Sequence, residues 1–223
     1  MPKRPSLLLI AFLVVLFPFV FSQVMVASLA KLHISPSIAV GLTFAILFGG
    51  LVNIPVKRTF RGMGVALEPL DAYGRQRLWP LMTTVRHESV IAVNVGGCLI
   101  PIGIALYELA LLGLQGGTLL RVVTYVTIAN TMACYFIAKP IPNVGIVMPG
   151  FVPPLVAASL AMIFAPHDAA PVAFIAGVLG PLIGADFLHL SEVQKNNIGV
   201  ASIGGAGTFD GIVLSGIVAA YIA

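Results

Sequence analysis

Charged residues are scarce in this sequence. Only 9% of its 223 residues are Asp, Glu, Lys or Arg, whereas 59% are hydrophobic, and the mean hydropathy is +1.05. A soluble domain carries about 25% charged residues, so this composition excludes an ordinary soluble fold. At about 20 apolar residues per membrane span, the hydrophobic runs occupy most of the chain. The sequence therefore predicts a single integral membrane domain over residues 1–223, a multi-pass protein of the cell membrane.

Cysteine is also scarce, which limits the cofactors that the chain can hold. Cys98 and Cys134 both fall within apolar runs, where buried structural thiols are the usual finding. No Cys or His spacing resembles a metal site. The net charge of +4 is best explained by membrane topology and lipid contact. We therefore expect the lipid bilayer as a partner, and no nucleic acid, metal or cofactor.

The hydrophobic runs predict an all-α polytopic protein of about seven transmembrane helices. The predicted spans are 7–30, 36–56, 89–112, 119–138, 144–165, 171–190 and 198–223. The first run could instead be a cleaved signal peptide, because small residues around Ala27 offer a cleavage point. Its apolar stretch exceeds the roughly 7–15 residues typical of a signal sequence, so a retained span is favoured. The long polar segment 57–88 is expected to be a cytoplasmic loop.

The distribution of basic residues predicts the orientation of these spans. Cytoplasmic loops of membrane proteins are enriched in Lys and Arg. With the N-terminus in the cytoplasm, ten of the 12 basic residues fall on the cytoplasmic side, and only Lys31 and Arg121 fall outside. The N-terminus is therefore predicted to be cytoplasmic.

The fifth predicted span differs from the others because it is rich in proline. Five prolines lie between residues 140 and 154, and each removes a backbone donor and disfavours a helix. Non-helical backbone at membrane depth persists only where it is buried in protein or lines a wet cavity. This segment is expected to be proline-broken, either as a kinked helix or as an unwound wall of a site. Asn143, Pro149 and Pro153 are its candidate cavity-lining residues.

Other polar groups lie where lipid would not tolerate them unpaired. Asn94 precedes a glycine pair in the third span, and Asn130 shares a helical face with Thr127 in the fourth. Hydrogen bonds between closely packed helices are the simplest role for such residues. Both asparagines are also candidates for lining a polar cavity. Glu108 and Arg121 flank the turn between these spans and are expected to form an ion pair.

Two aspartates lie inside the glycine-rich apolar runs near the C-terminus. Asp186 and Asp210 each occupy a position where a charge costs about 2.5–3.5 kcal/mol at a helix centre. The spans that carry them are antiparallel neighbours, but regular helices at 1.5 Å per residue would offset the two acids in depth by roughly 15–20 Å. They can meet only if the stretch 202–208 is non-helical, which Gly205 and Gly207 permit.

Two carboxyl groups held close together cannot both ionise, so they share a proton. One can then act as a base on water while the other polarises a carbonyl, as in aspartic proteases. Asp186 and Asp210 are therefore the candidate catalytic pair. His189 follows Asp186 by three residues, so it either tunes the proton affinity of that acid or lies at the level of the lipid headgroups.

The motifs around these acids resemble known families. Gly-Ala-Asp at 184–186 and Gly-Thr-Phe-Asp at 207–210 resemble the paired motifs of presenilin, signal peptide peptidase and prepilin peptidase, in which two spans each carry one catalytic aspartate. That resemblance implies an intramembrane aspartyl protease acting on a membrane-spanning peptide. The chain is also similar to a family of prokaryotic membrane proteins known as domain of unknown function 1614, through Pro-Asn-Val-Gly-Ile and Gly-Gly-Ala-Gly-Thr-Phe-Asp-Gly-Ile. This second resemblance implies no established activity.

Three functions stay open on the sequence. An intramembrane aspartyl protease would use Asp186 and Asp210 as its dyad. A small proton-coupled transporter or channel would use the same acids together with broken helices and polar groups at membrane depth, although no inverted repeat is evident. A non-catalytic membrane scaffold would need neither acid and would contact lipid through the basic loop 57–88.

Overall fold

Most of the chain is helical. The computed structural model describes residues 7–66, 83–141, 145–196 and 199–223. The α-helices are α1 Leu7–Ala30, α2 Pro36–Gly49, α3 Ile100–Gln115, α4 Gly117–Ile137, α5 Val152–Phe164, α6 Ala169–Pro181, α7 Leu188–Asn196 and α8 Gly211–Ile222. A π-helix, Val95–Leu99, leads into α3, and a second one, Leu182–Phe187, joins α6 to α7. A short 3-10 helix, Gly207–Phe209, precedes α8.

The helices agree with the membrane character expected from composition. Within the described residues, three helical segments are long and apolar enough to cross a membrane: Val95–Gln115, Gly117–Ile137 and Ala169–Val193. Four shorter apolar helical segments accompany them: Phe19–Ala30, which is the C-terminal part of α1, and Pro36–Gly49, Val152–Phe164 and Gly211–Ile222. These helices fit a helical membrane protein.

Five strands within the described residues are added to the helices that the all-α prediction expected. β1 Asn53–Ala66 pairs antiparallel with β2 Thr83–Asn94, and β2 pairs in parallel with β5 Gly199–Ile203, giving the sheet order β1-β2-β5. A second pair, β3 Lys139–Ile141 with β4 Gly145–Val147, is antiparallel. Much of the segment 57–88 therefore lies in strands rather than in a plain loop, and residues 67–82 are outside the described part. The many Thr and Val residues of β2 suit a strand.

The strands displace the ends of three predicted spans. The helices in these spans end or begin inside the predicted limits: α2 ends at 49 rather than 56, the third span begins at 95 rather than 89, and the α-helix of the seventh begins at 211 rather than 198. Hydropathy missed these limits because a short buried apolar strand and a buried helix segment look alike in an apolar run.

The proline-rich fifth segment is partly strand and partly helix. β3 and β4 form a hairpin, and the helix begins only at Val152. Pro153 and Pro154 occupy the first turn of α5, where the backbone N–H that proline lacks would have no partner within the helix. The expectation of a proline-broken span is therefore confirmed, in the form of a strand-like portion followed by a 13-residue helix.

α6 forms the centre of the helical packing. All of its residues except Leu179 are buried, and it packs against α3, α4, α5 and α8. Small residues allow this close approach. A Cβ atom at Gly177 would lie 2.7 Å from the carbonyl oxygen of Ser215 on α8, and one at Gly216 would lie 2.5 Å from Val178. The α6–α8 interface therefore depends on two glycines, one from each helix.

Replacing Gly177 with Ala should destabilise the protein, because the added methyl group overlaps the backbone of α8. Overpacking of this kind costs about 1–3 kcal/mol. Gly113→Ala in α3 is the matched control, since nothing lies within 4 Å of its Cβ position and alanine is the better helix former. Thermal unfolding in detergent measures both. Equal melting temperatures for the two variants would contradict the close α6–α8 contact.

Candidate acidic site

Asp210 lies at the start of α8 and is held by its own loop. It is the N-cap of the helix: its Oδ1 accepts a hydrogen bond from the backbone N–H of Ile212 (3.0 Å), and its Oδ2 accepts one from the backbone N–H of Ala206 (3.3 Å). Aspartate is among the residues most favoured at this position. The two bonds orient the carboxylate from both sides, the loop before it and the helix after it.

Asp186 lies in the π-helix between α6 and α7. Single π-turns inside longer helices occur frequently at functional sites. The preceding Gly184 packs so closely on α4 that a Cβ atom there would overlap the carbonyl oxygen of Thr131. Close packing of the π-helix on α4 therefore positions the segment that carries Asp186.

The backbone between the two acids is not the regular helix on which the predicted difference in depth is based. After α7, the chain returns as β5, and a strand advances about 3.3 Å per residue against 1.5 Å for a helix. The chain then turns through Gly204 and Gly207, whose φ angles of 70° and 62° favour glycine. The stretch 202–208 contains no α-helix, as its glycines suggested. The offset expected for regular helices therefore does not apply to this backbone.

Glycine contacts hold the loop before Asp210 against the start of α3. A Cβ atom at Gly97 would overlap the carbonyl oxygen of Gly204, and one at Gly207 would lie 3.0 Å from the backbone of Gly50. The residue after Gly97, Cys98, is buried, and its Cβ lies 2.8 Å from the Cβ position of Gly204. From the sequence, Cys98 was expected only as a structural thiol. Its place against the loop before Asp210 could not be inferred without the Gly97–Gly204 contact.

Asn94 organises the polar network beside this loop. Its side chain is fully buried. Nδ2 donates to the carbonyl oxygen of Gly50 (2.8 Å) and to Oδ1 of Asn53 (3.1 Å), and Oδ1 accepts from the backbone N–H of Gly97 (2.7 Å). The hydroxyl of Ser202 donates to the same Asn53 oxygen (2.6 Å). Asn94 therefore joins the end of α2, the three-stranded sheet and the first turn before α3.

Asn53 and Ser202 were not predicted from the sequence as members of this network. Each is a short polar residue at the edge of an apolar run, a pattern that is common in turns and carries no signal of a buried network. The network is recognised only once β1, β2 and β5 are known to be adjacent.

The other predicted cavity residues of the membrane helices lie in packed contacts. Asn130 lies between α4 and α6, where its Nδ2 donates to the carbonyl oxygen of Ala176 (2.8 Å). This is the expected interhelical hydrogen bond, and its Oδ1 has no partner among the described residues. His189 is buried and stacks on Tyr135 at 5.0 Å. His189 is therefore packed within the protein, and its location at headgroup level stays a prediction.

His189 forms hydrogen bonds to the backbone of the π-helix. Its Nδ1 lies 3.1 Å from the carbonyl oxygen of Gly184 and 3.0 Å from that of Ala185, so it donates to them. These bonds hold the backbone immediately before Asp186. His189 thus supports the segment that carries the acid.

The fifth segment borders the start of α8. The methyl group of Met148 lies 3.1 Å from the Cβ position of Gly211, the residue after Asp210. Pro149 is exposed and Pro153 is buried at the start of α5. Gly205 is exposed in the loop before Asp210, and its N–H donates to Ser202 (3.1 Å). Asn143 lies outside the described residues.

The expected ion pair between Glu108 and Arg121 is wrong. Glu108 is fully buried and bonds to the α1–α2 connection: His33 approaches it with its backbone N–H (3.1 Å to Oε1) and with Nδ1 (2.9 Å to Oε2). Arg121 is exposed and donates to Thr118 (3.1 Å). The two residues are close in sequence but point to opposite environments, one into the helical packing and the other away from it.

Within the described ranges, no group of three or more His, Cys, Asp or Glu could hold a metal ion.

The apolar helices, interrupted at Asp186 and before Asp210, define the class: a helical membrane protein with discontinuous helices. Residues 47–222 match a family model described as a protein of unknown function (DUF1614). The chain belongs to that family, and the matched region includes both aspartates and the Asn94 network. No curated protein and no solved structure matches the chain. The comparisons therefore show a family, and the resemblance to aspartyl proteases finds no support in them.

Replacing Asn94 with Ala should destabilise the fold, because the carbonyl of Gly50 and the N–H of Gly97 would be buried without a partner. Each unsatisfied group of this kind costs about 1–3 kcal/mol. Thr124→Ala is the control, since the Thr124 hydroxyl is exposed and bonds only within its own helix. Thermal unfolding in detergent should show a clear loss for Asn94→Ala alone. Similar melting temperatures would contradict the structural role of the network.

Proposed function

We propose that this protein is an intramembrane aspartyl protease-like enzyme that uses Asp186 and Asp210 as its dyad. The observation that carries the proposal is that both acids lie where apolar helices are interrupted, Asp186 in a π-helix and Asp210 at the N-cap of α8. Acids are costly in apolar segments and are usually functional there. Between them the chain runs through a strand and a positive-φ turn, which support their approach where regular helices would have kept them apart.

The two carboxyl groups differ in a way that suits a division of labour. Asp210 accepts two backbone hydrogen bonds, which fix the orientation of its carboxylate. In the proposed reaction, Asp210 takes a proton from water, whose oxygen adds to the peptide carbonyl carbon while protonated Asp186 donates a hydrogen bond to the carbonyl oxygen. The C–N bond then breaks as the nitrogen receives a proton from the dyad. The products are a carboxylic acid and an amine, and the dyad again holds one proton.

The non-helical backbone around the acids supports access by water and by a peptide. Met148 follows the β3–β4 hairpin in the chain and lies beside Gly211 at the start of α8. Non-helical backbone at membrane depth occurs where it is buried in protein or lines a water-filled cavity. We therefore propose that the substrate is a membrane-spanning peptide that reaches the acids from this side.

Proton-coupled transport is the second candidate function, and the interrupted helices favour it. α8 begins at Asp210 after a strand and a turn, and the helix of α3 begins after β2. Discontinuous helices whose ends face a binding site are common in transporters. In this alternative, the same acids would bind and release a proton without breaking a peptide bond.

Asp186→Asn and Asp210→Asn should each abolish cleavage of a co-reconstituted single-span peptide. Losing one member of a catalytic unit lowers the rate on the order of 10⁴-fold or more. Asparagine also caps helices well, so Asp210→Asn should keep its fold. Glu192→Gln, at an exposed acid of α7, is the control. Product formation is followed by mass spectrometry in proteoliposomes.

The same proteoliposomes distinguish the alternatives. Cleavage by both aspartate variants at the wild-type rate would overturn the protease proposal. Proton flux that wild type supports and both variants lose, without any cleavage, would assign transport. If the wild-type protein shows neither activity, a non-catalytic membrane scaffold is the remaining alternative.

A further inference from the structure

An apolar groove runs along the outer side of the helices between α4 and α5. Its volume is about 300 Å³. It is lined by Val122, Tyr125, Val126, Ala129, Leu160 and Phe164. Large apolar side chains on both helices beside it are exposed, Ile128 to 51% and Ile163 to 67%. In a membrane protein such a surface faces lipid, so the groove opens toward the hydrocarbon and away from the helical core.

The groove has a polar end. Its α4 residues recur every three or four positions, which places them on one face of the helix. Arg121 and Thr118 continue this face toward the Gly117 end of α4. Arg121 is exposed and donates to the Thr118 hydroxyl (3.1 Å), and no carboxylate pairs with it in the described part of the chain. A guanidinium has five N–H donors in a planar fork, so most of its donors remain available.

We propose that this groove binds a phospholipid, with an acyl chain against the apolar lining and the phosphate diester on Arg121 and Thr118. The planar fork of arginine matches the oxygens of a phosphate. The volume lies at the lower end of the range of about 300–1,000 Å³ for small-molecule sites. The site is separate from the two aspartates and does not depend on the proposed protease function.

A helix of a second protein copy fits this groove less well than an acyl chain. An α-helix with its side chains is about 10 Å across, so it could insert only side chains into a groove of about 300 Å³. A single flexible hydrocarbon chain is narrower and can follow the groove. The unpaired cation at one end also calls for an anionic group attached to an apolar body.

The test measures binding of dioleoyl phosphatidylglycerol to the full-length protein in detergent by native mass spectrometry. Arg121→Gln should weaken binding about fivefold, the change that corresponds to about 1 kcal/mol per basic residue at 1.4 kcal/mol per tenfold. Lys57→Gln is the charge control, since Lys57 is also exposed. Ala129→Trp should fill the groove and remove the bound lipid, whereas Met132→Trp, at an exposed α4 residue outside the groove, should not.

Two further probes separate the sources of binding. Dioleoylglycerol lacks the phosphate and should bind about fivefold more weakly than the phospholipid, while inorganic phosphate lacks the chains and should not compete. Wild-type affinity in Arg121→Gln, equal losses in the Arg121 and Lys57 variants, or equal binding of dioleoylglycerol would overturn the proposal. Lipid retained by a folded Ala129→Trp variant would also overturn it. If that variant does not fold, Arg121→Gln and the diglyceride comparison still decide.

Discussion

The arrangement of this protein depends on one constraint: backbone groups at membrane depth must find partners inside the protein. Helices meet that requirement alone, whereas strands, turns and helix ends need additional donors and acceptors. The end of α2 and the start of the π-helix that precedes α3 meet at Asn94, so their unpaired backbone groups lie in one region. Asn94 provides both kinds of partner there, as a donor to Gly50 and as an acceptor from Gly97. The interruption of the helices is therefore stable because a buried amide replaces the missing helical bonds.

The same interruption decides where the two acids lie. A continuous helix after residue 198 would carry Asp210 to a different depth from Asp186. A strand followed by a turn changes the advance per residue and reverses the chain within a few positions. The turn can form only because Gly204 adopts a positive φ and lies directly on Gly97. The position of Asp210 is thus a consequence of backbone contacts between glycines.

Sequence reasoning recovered the helices best where they are regular. It placed the fourth span at 119–138, and the structure has α4 at Gly117–Ile137. It also identified both acids, because a charge in an apolar run is conspicuous. It missed the strands, since the pairing of β2 with β5 joins residues that are distant in the chain. The Glu108–His33 contact was missed for the same reason, because an acid near a basic residue in sequence is a poor guide to its partner in space.

The two acids are held by different helices, so their relative position is sensitive to how those helices pack. Asp186 continues from α6, which is buried along nearly its whole length. Asp210 starts α8, which is held against α6 by contacts at Gly177 and Gly216. Closely packed interiors transmit small volume changes, so a methyl group added between α6 and α8 would shift one acid relative to the other. Any function that requires a shared proton therefore depends on that interface as much as on the carboxyl groups themselves.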